Sequence, residues 1–185
     1  MLEERALVAP RFGYRVWPVE RAEGARIDLG EVVLEAPGLA ASCAAASAVA
    51  AAACTLGDAL EERVRALWRQ GRRLVALELD EAANKLLYCL SRAALAAIRR
   101  DAARRGDRAG DELNPGDPGL ALAEQAVVLR LAAARDQGIV ATGGGMLSPV
   151  KSLSFVVALG PGLAPRAGGR CRRCPARERC RARPD

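Results

Sequence analysis

Three cysteines close to the end of the chain carry its most specific chemistry. Cys171, Cys174 and Cys180 stand in the spacing C-x2-C-x5-C within CRRCPARERC. Two thiolates separated by two residues can point at one ion, because the tight turn between them exposes backbone N–H groups toward the sulfurs. Pro175 sets the chain direction as it leaves that turn. The neighbouring arginines lower thiol pKa values and offset the negative charge of a thiolate-ligated centre. The pattern predicts a metal centre, either zinc or an iron–sulfur cluster. No histidine exists anywhere in the chain, so a fourth ligand must be Cys43, Cys54, Cys89, an exogenous group, or nothing. A cluster tolerates an incomplete protein shell better than a structural zinc site does, which favours iron–sulfur. Taken singly, Cys43, Cys54 and Cys89 read as small buried hydrophobes.

The missing histidine also removes imidazole acid–base catalysis and the Ser/His/Asp and Cys/His arrangements. The net charge of +6 suggests nucleic-acid binding at first sight, but residues 1–165 balance 20 basic against 20 acidic side chains. The last 20 residues hold eight arginines against Glu178 and Asp185, so the whole excess sits beside the cysteines. A phosphate-tracking surface spreads its cations along a groove or helix. With aromatics at only 3%, a zinc-knuckle nucleic-acid binder would have little on which to stack bases. Nucleic acid is therefore disfavoured as a partner.

The elements that must position this chemistry follow from periodicity. At 185 residues and 51% apolar content the chain suffices for one packed domain, residues 1–165, with a Cys/Arg-rich tail at 166–185. The longest apolar run, Ala44 to Leu56, is mostly alanine and too short to span a bilayer. MLEER opens acidic with no apolar stretch after it, so no signal peptide is expected and the protein reads as cytoplasmic. Glu31–Glu35 suits a short strand, and Ser47–Thr55 suits either an alanine helix or a buried strand of small residues. Asp58 opens a helix with Glu61 as the third residue of a capping box; Leu60, Val64, Leu67 and Trp68 share its apolar face and Gly71 stops it. A longer helix is expected over 80–105, burying Ala83, Leu86, Leu87, Leu90, Ala94, Ala97 and Ile98. Residues 106–119 read as a Gly/Pro/Asp loop, 120–136 as a third helix, Ile139–Thr142 as a strand, and Leu153–Leu159 as the last strand. The whole reads as α+β, a modest sheet with helices covering one side.

The order of short motifs adds a resemblance. GIVATGGGMLSPVKSLSFVVALGPG resembles a stretch of cobalamin-dependent methionine synthase activation domains and of their stand-alone bacterial relatives. The matching residues are Gly138-Ile139, Thr142, Met146, Pro149, Lys151, Ser152 and Ser154. Upstream, Leu113-Asn114-Pro115-Gly116-Asp117-Pro118-Gly119-Leu120 with Gln125 is similar to a shortened form of the family's Pro-Gly-Tyr segment. Cys54-Thr55-Leu56-Gly57 is similar to a Thr-Leu-Gly opening in the stand-alone members, which often end in a comparable cysteine tail. The resemblance implies a single C-shaped domain with a twisted, mainly antiparallel sheet. It also implies S-adenosylmethionine binding and docking on a cobalamin (vitamin B12) module or corrinoid-binding methyltransferase subunit. There, one electron and the S-adenosylmethionine methyl group restore methyl-Co(III) from Co(II). The implied cofactor-binding residues are Asn114, Pro115, Gly116, Thr142, Gly143, Gly144, Lys151 and Ser152, with no catalytic residue. Where the family has an arginine before and a tyrosine after Pro-Gly, this chain has Asp111 and Glu112 nearby and Asp117; where it has a carboxylate after the threonine, this chain has Gly143. Those departures suit a second reading, a non-enzymatic iron–sulfur electron-transfer or scaffold subunit that has lost S-adenosylmethionine binding.

Overall fold

The computed structural model describes residues 7–43, 45–164 and 178–179. In chain order the elements are strands β1 (Arg11–Pro18), β2 (Arg21–Glu23), β3 (Arg26–Asp28) and β4 (Val33–Glu35), helix α1 (Pro37–Cys43), strand β5 (Ala48–Thr55), and helices α2 (Ala59–Arg69) and α3 (Arg73–Arg104). Strand β6 (Arg108–Leu113), helix α4 (Gln125–Leu131) between two short 3-10 turns, and strands β7 (Val140–Ala141), β8 (Leu147–Ser148) and β9 (Ser152–Gly160) complete it.

The main sheet has the order β1-β5-β9-β6 with every neighbouring pair antiparallel. The alanine run resolves as its central strand. Ala52 faces Tyr14 on one side and Phe155 on the other, and every residue from Val49 to Thr55 is buried. Alanine prefers helix in isolation, yet here tertiary burial on both faces decides the conformation.

Two layers cover this sheet, where one was expected. Ala50, Ala52, Phe155, Val157 and Leu159 pack against Ala94, Leu95, Ile98 and Ala102 of α3. On the opposite face Val49, Ala51, Val156 and Ala158 meet Val128 and Leu131 of α4 and Ile27 and Leu34 of the small β2-β3-β4 sheet. Helix α2 closes a third cluster, placing Leu60, Val64 and Leu67 against Ala76, Ala83 and Leu87 of α3. The α+β class stands.

Several boundaries differ from expectation. Helix α3 starts at Arg73, not near 80, because its first turns have α2 to pack against. The 106–119 loop contains β6, an edge strand whose pairing with β9 shifts between Ala109 and Glu112. The expected helix over 120–136 is interrupted at Ala133, which takes a left-handed conformation (φ 48°), and the Trp17 indole N–H donates to the Leu131 carbonyl just before that break. Trp68 and Leu86 lie at the margins of their apolar stripes and are exposed, 44% and 42%. Asp58 precedes α2 without a side-chain cap; Glu61 instead accepts the Val150 N–H at 3.0 Å and the Arg65 guanidinium. No described helix is long and apolar enough to cross a membrane.

Candidate functional site at one end of the sheet

Strands β5 and β6 end, and β9 begins, at the same end of the main sheet, where Thr55 pairs with Ser152. Most of the expected ligand residues gather there.

Asn114 directly follows β6 and is 6% exposed. Its Nδ2 donates to the Ser154 carbonyl at 3.0 Å, and Gln125 Nε2 donates to Ser154 Oγ at 2.7 Å. These three buried polar side chains tie the loop after β6 and the start of α4 to β9. The Asn114 Oδ1 is buried and has no protein hydrogen-bond partner. A buried acceptor left this way costs on the order of 1–3 kcal/mol, so it is a position where a bound donor is favoured.

The loop itself is closed by its own backbone. The Asn114 N–H donates to Asp117 Oδ2 at 3.0 Å, the Asp117 N–H to the Asn114 carbonyl at 2.9 Å, and the Gly116 N–H to the Leu120 carbonyl at 2.8 Å. Asp117 thus acts in this turn. Gly116 has φ +94°, and a Cβ there would meet nothing within 4 Å. Pro115 is half-buried between them. Gly119 is the tight point: with φ +98°, its Cβ would fall 2.5 Å from the Gly38 Cα.

Thr142, Gly143 and Gly144 form the exposed tip between β7 and β8. The Thr142 N–H and hydroxyl both donate to the Met146 carbonyl, at 2.8 and 3.2 Å. A Cβ on Gly143 or Gly144 would again meet nothing within 4 Å, whereas one on Gly145 would lie 3.2 Å from Leu122 Cγ. Leu122 belongs to the turn that follows the Asn114–Leu120 loop, so the two loops are neighbours. A cleft of about 600 Å3 is lined by Leu129, Arg130, Arg135, Asp136 and Ile139 and reaches Ala141, the residue before Thr142; neither loop lines it.

Lys151 and Ser152 take different roles. Lys151 is buried, and its ammonium lies 2.8 Å from Asp80 Oδ1 and donates to Asn84 Oδ1 at 2.8 Å, both on α3. Its charge is committed within the fold. Ser152 Oγ donates to Thr55 Oγ1 at 2.9 Å, which also accepts the Gly57 N–H at 3.0 Å. Gly57 (φ +81°) then turns the chain from β5 into α2. The sequence carries no local signal for the Asp80 and Asn84 partners, the latter 67 residues away along the chain. Gln125 and Ser154 belonged to the recognised motifs, but their mutual contact is a product of the fold.

Cys171, Cys174 and Cys180 lie outside the described residues, as does the Cys43 side chain. Among the described residues no group of three or more His, Cys, Asp or Glu could hold a metal ion. Cys54 is buried in β5 as expected, and burial, helped by the Glu112 charge, pushes its thiol up to about 12. A thiol held protonated is a poor metal ligand. Cys89, expected to be buried, is exposed on α3.

The layered antiparallel sheet with helices on both faces and two adjoining loops at one end defines a known fold. It is that of a solved crystal structure of the MetH reactivation domain bound to AdoHcy, with a TM-score of 0.68 and 16% sequence identity. The similarity covers 85% of this chain and 61% of that one, so the chain spans about three-fifths of its neighbour's length. No family model matches the chain, and no curated protein matches it.

Proposed function

We propose that this chain is a reactivation-type protein that holds S-adenosylmethionine for a corrinoid-dependent methyltransferase. The observation that carries the reading is the shared fold with a reactivation domain whose bound ligand, AdoHcy, is the demethylated product of that donor. The motif order from Thr55 through Asn114 and Thr142 to Ser154 supports it. The residues fit a ligand bearing hydrogen-bond donors: Asn114 Oδ1 is a buried acceptor without a protein partner, and Gly116, Gly143 and Gly144 leave open space beside their backbones. An ammonium or hydroxyl on the ligand would satisfy that acceptor. In this role the partner's corrinoid takes one electron from a low-potential donor and the methyl group of S-adenosylmethionine, releasing S-adenosylhomocysteine. The chain's own residues only hold and orient the methyl donor.

In the same reading residues 1–165 are the ligand-holding body and 166–185 a tail that binds iron–sulfur or zinc through Cys171, Cys174 and Cys180. Its arginines suit an acidic partner surface. A visible-range charge-transfer spectrum and metal analysis of protein prepared without oxygen test the tail. Iron and sulfide support the cluster; metal-free protein with all three thiols alkylable overturns it.

A second reading, an electron-transfer or scaffold subunit without S-adenosylmethionine binding, is favoured by one observation. Lys151 and Asp117 are both consumed by intramolecular contacts. Calorimetric titration with S-adenosylhomocysteine separates the two readings. Saturable binding that Asn114→Leu abolishes supports the first, and silence with folded protein supports the second.

A further inference from the structure

Helix α3 is amphipathic twice over. Its inner stripe (Ala76, Ala83, Leu87, Ala94, Ile98) packs on α2 and the main sheet. At about 100° per residue, Val75, Ala82, Leu86, Cys89, Ala93 and Ala96 fall together on an outward face roughly 125° around the helix from that stripe, and all six are exposed. Their alternating spacing of seven, four and three residues is the seam spacing of paired helices, and the small side chains allow two backbones to approach closely. Leu74, 72% exposed, and Trp68 of α2, 44% exposed, lie near its N-terminal end. A helix that is apolar on both faces is one that is covered on both.

Charge says what covers it. Along one flank of the stripe stand Glu78 and Glu81 before Leu86, with Lys85 paired to Glu81, and Arg92 and Arg99 after it. A second copy laid antiparallel, with Leu86 near the two-fold axis, sets the acidic half of each helix beside the basic half of the other. Glu78 then neighbours Arg92 of the second copy. Parallel pairing would put like charges together. We propose that this outward face of α3 is where two copies of this chain pair, antiparallel. The overlap from Val75 to Ala96 would run about 33 Å at ~1.5 Å per residue. The face is isologous, as a two-fold interface requires. The proposal is independent of the ligand reading, since the loops of that site pack on the other face of the sheet and at its end.

Sedimentation equilibrium of the full chain tests it. Wild type should dimerise reversibly, and Leu86→Glu, at an exposed position that leaves the core untouched, should be monomeric with an unchanged far-UV spectrum. Glu78→Arg should weaken dimerisation roughly tenfold, because two attractive contacts per dimer become repulsive. Glu78→Arg combined with Arg92→Glu should restore it. A wild-type monomer at every concentration overturns the proposal and leaves the face to a different protein. So does a dimer indifferent to Leu86→Glu, or a double swap no tighter than the single one.

Discussion

Replacing Lys151 by methionine separates a structural lysine from a ligand contact. The ammonium sits 2.8 Å from Asp80 Oδ1 and 2.8 Å from Asn84 Oδ1, and its side chain is only 9% exposed. Hydrogen bonds to charged groups contribute about 1.5–3 kcal/mol, and breaking a fully buried pair costs about 3–5 kcal/mol. Asp80 is 41% exposed, so water solvates the carboxylate left behind, and methionine keeps the packing of the aliphatic stem. The expected cost is therefore about 1–2 kcal/mol, or a fall in Tm of roughly 2–8 °C for a domain of this size. In a double-mutant cycle with Asp80→Asn, the two changes should couple by about 1 kcal/mol, read from urea midpoints by circular dichroism. Affinity for S-adenosylmethionine should stay within about threefold, the change expected of a distant site. An unchanged midpoint together with lost ligand binding would show that the lysine reaches the ligand, and would refute the argument from its partners.

Other outcomes follow from close contacts and burial. Gly119→Ala should destabilise by on the order of 3 kcal/mol, since its Cβ meets the Gly38 Cα at a positive φ, whereas Gly71→Ala, with φ +74° but nothing within 4 Å, should cost about 1 kcal/mol; thermal melts compare them. At concentrations where the chain is monomeric, native-state alkylation near pH 8 should label Cys89 quickly and Cys54 only on unfolding, as mass spectrometry of digests would show. The Cys54 thiol, raised from 9.0 to about 12 by burial, should make folding less stable as pH rises from 9 toward 12. In that window the unfolded chain releases the proton and the folded chain retains it, so Cys54→Val should flatten the decline by at most ~1.4 kcal/mol per pH unit.

Long periodic elements were legible in the residues themselves. Helix α2 ends just before Gly71 as its pattern demands, the buried side of α3 contains the expected Ala83, Leu87, Ala94 and Ile98, and β9 spans the expected strand. Two outer strands were not legible. In β1 the alternation of Phe12, Tyr14 and Val16 is diluted by arginines and Gly13, and in β6 Gly110 and Asp111 read as turn residues until β9 supplies a partner edge. Ambiguity at Ser47–Thr55 was inherent, because alanine favours helix alone and only burial between β1 and β9 makes it strand. Asn114, Pro115 and Gly116 were expected as ligand residues through their motif, and that segment forms a closed turn at the sheet end. Lys151 was grouped with them, and its contacts with Asp80 and Asn84 have no local trace in the chain. The exposed stripe on α3 was hidden by the same alanine richness that hid β5.

The most direct test of the account is isothermal titration of the folded chain with S-adenosylmethionine and S-adenosylhomocysteine. A reactivation-type site predicts saturable, roughly one-to-one binding of both, weakened strongly by Asn114→Leu and little by Lys151→Met. Absence of binding by a chain that melts cooperatively would leave only the fold in common with the reactivation domain and contradict the proposed function.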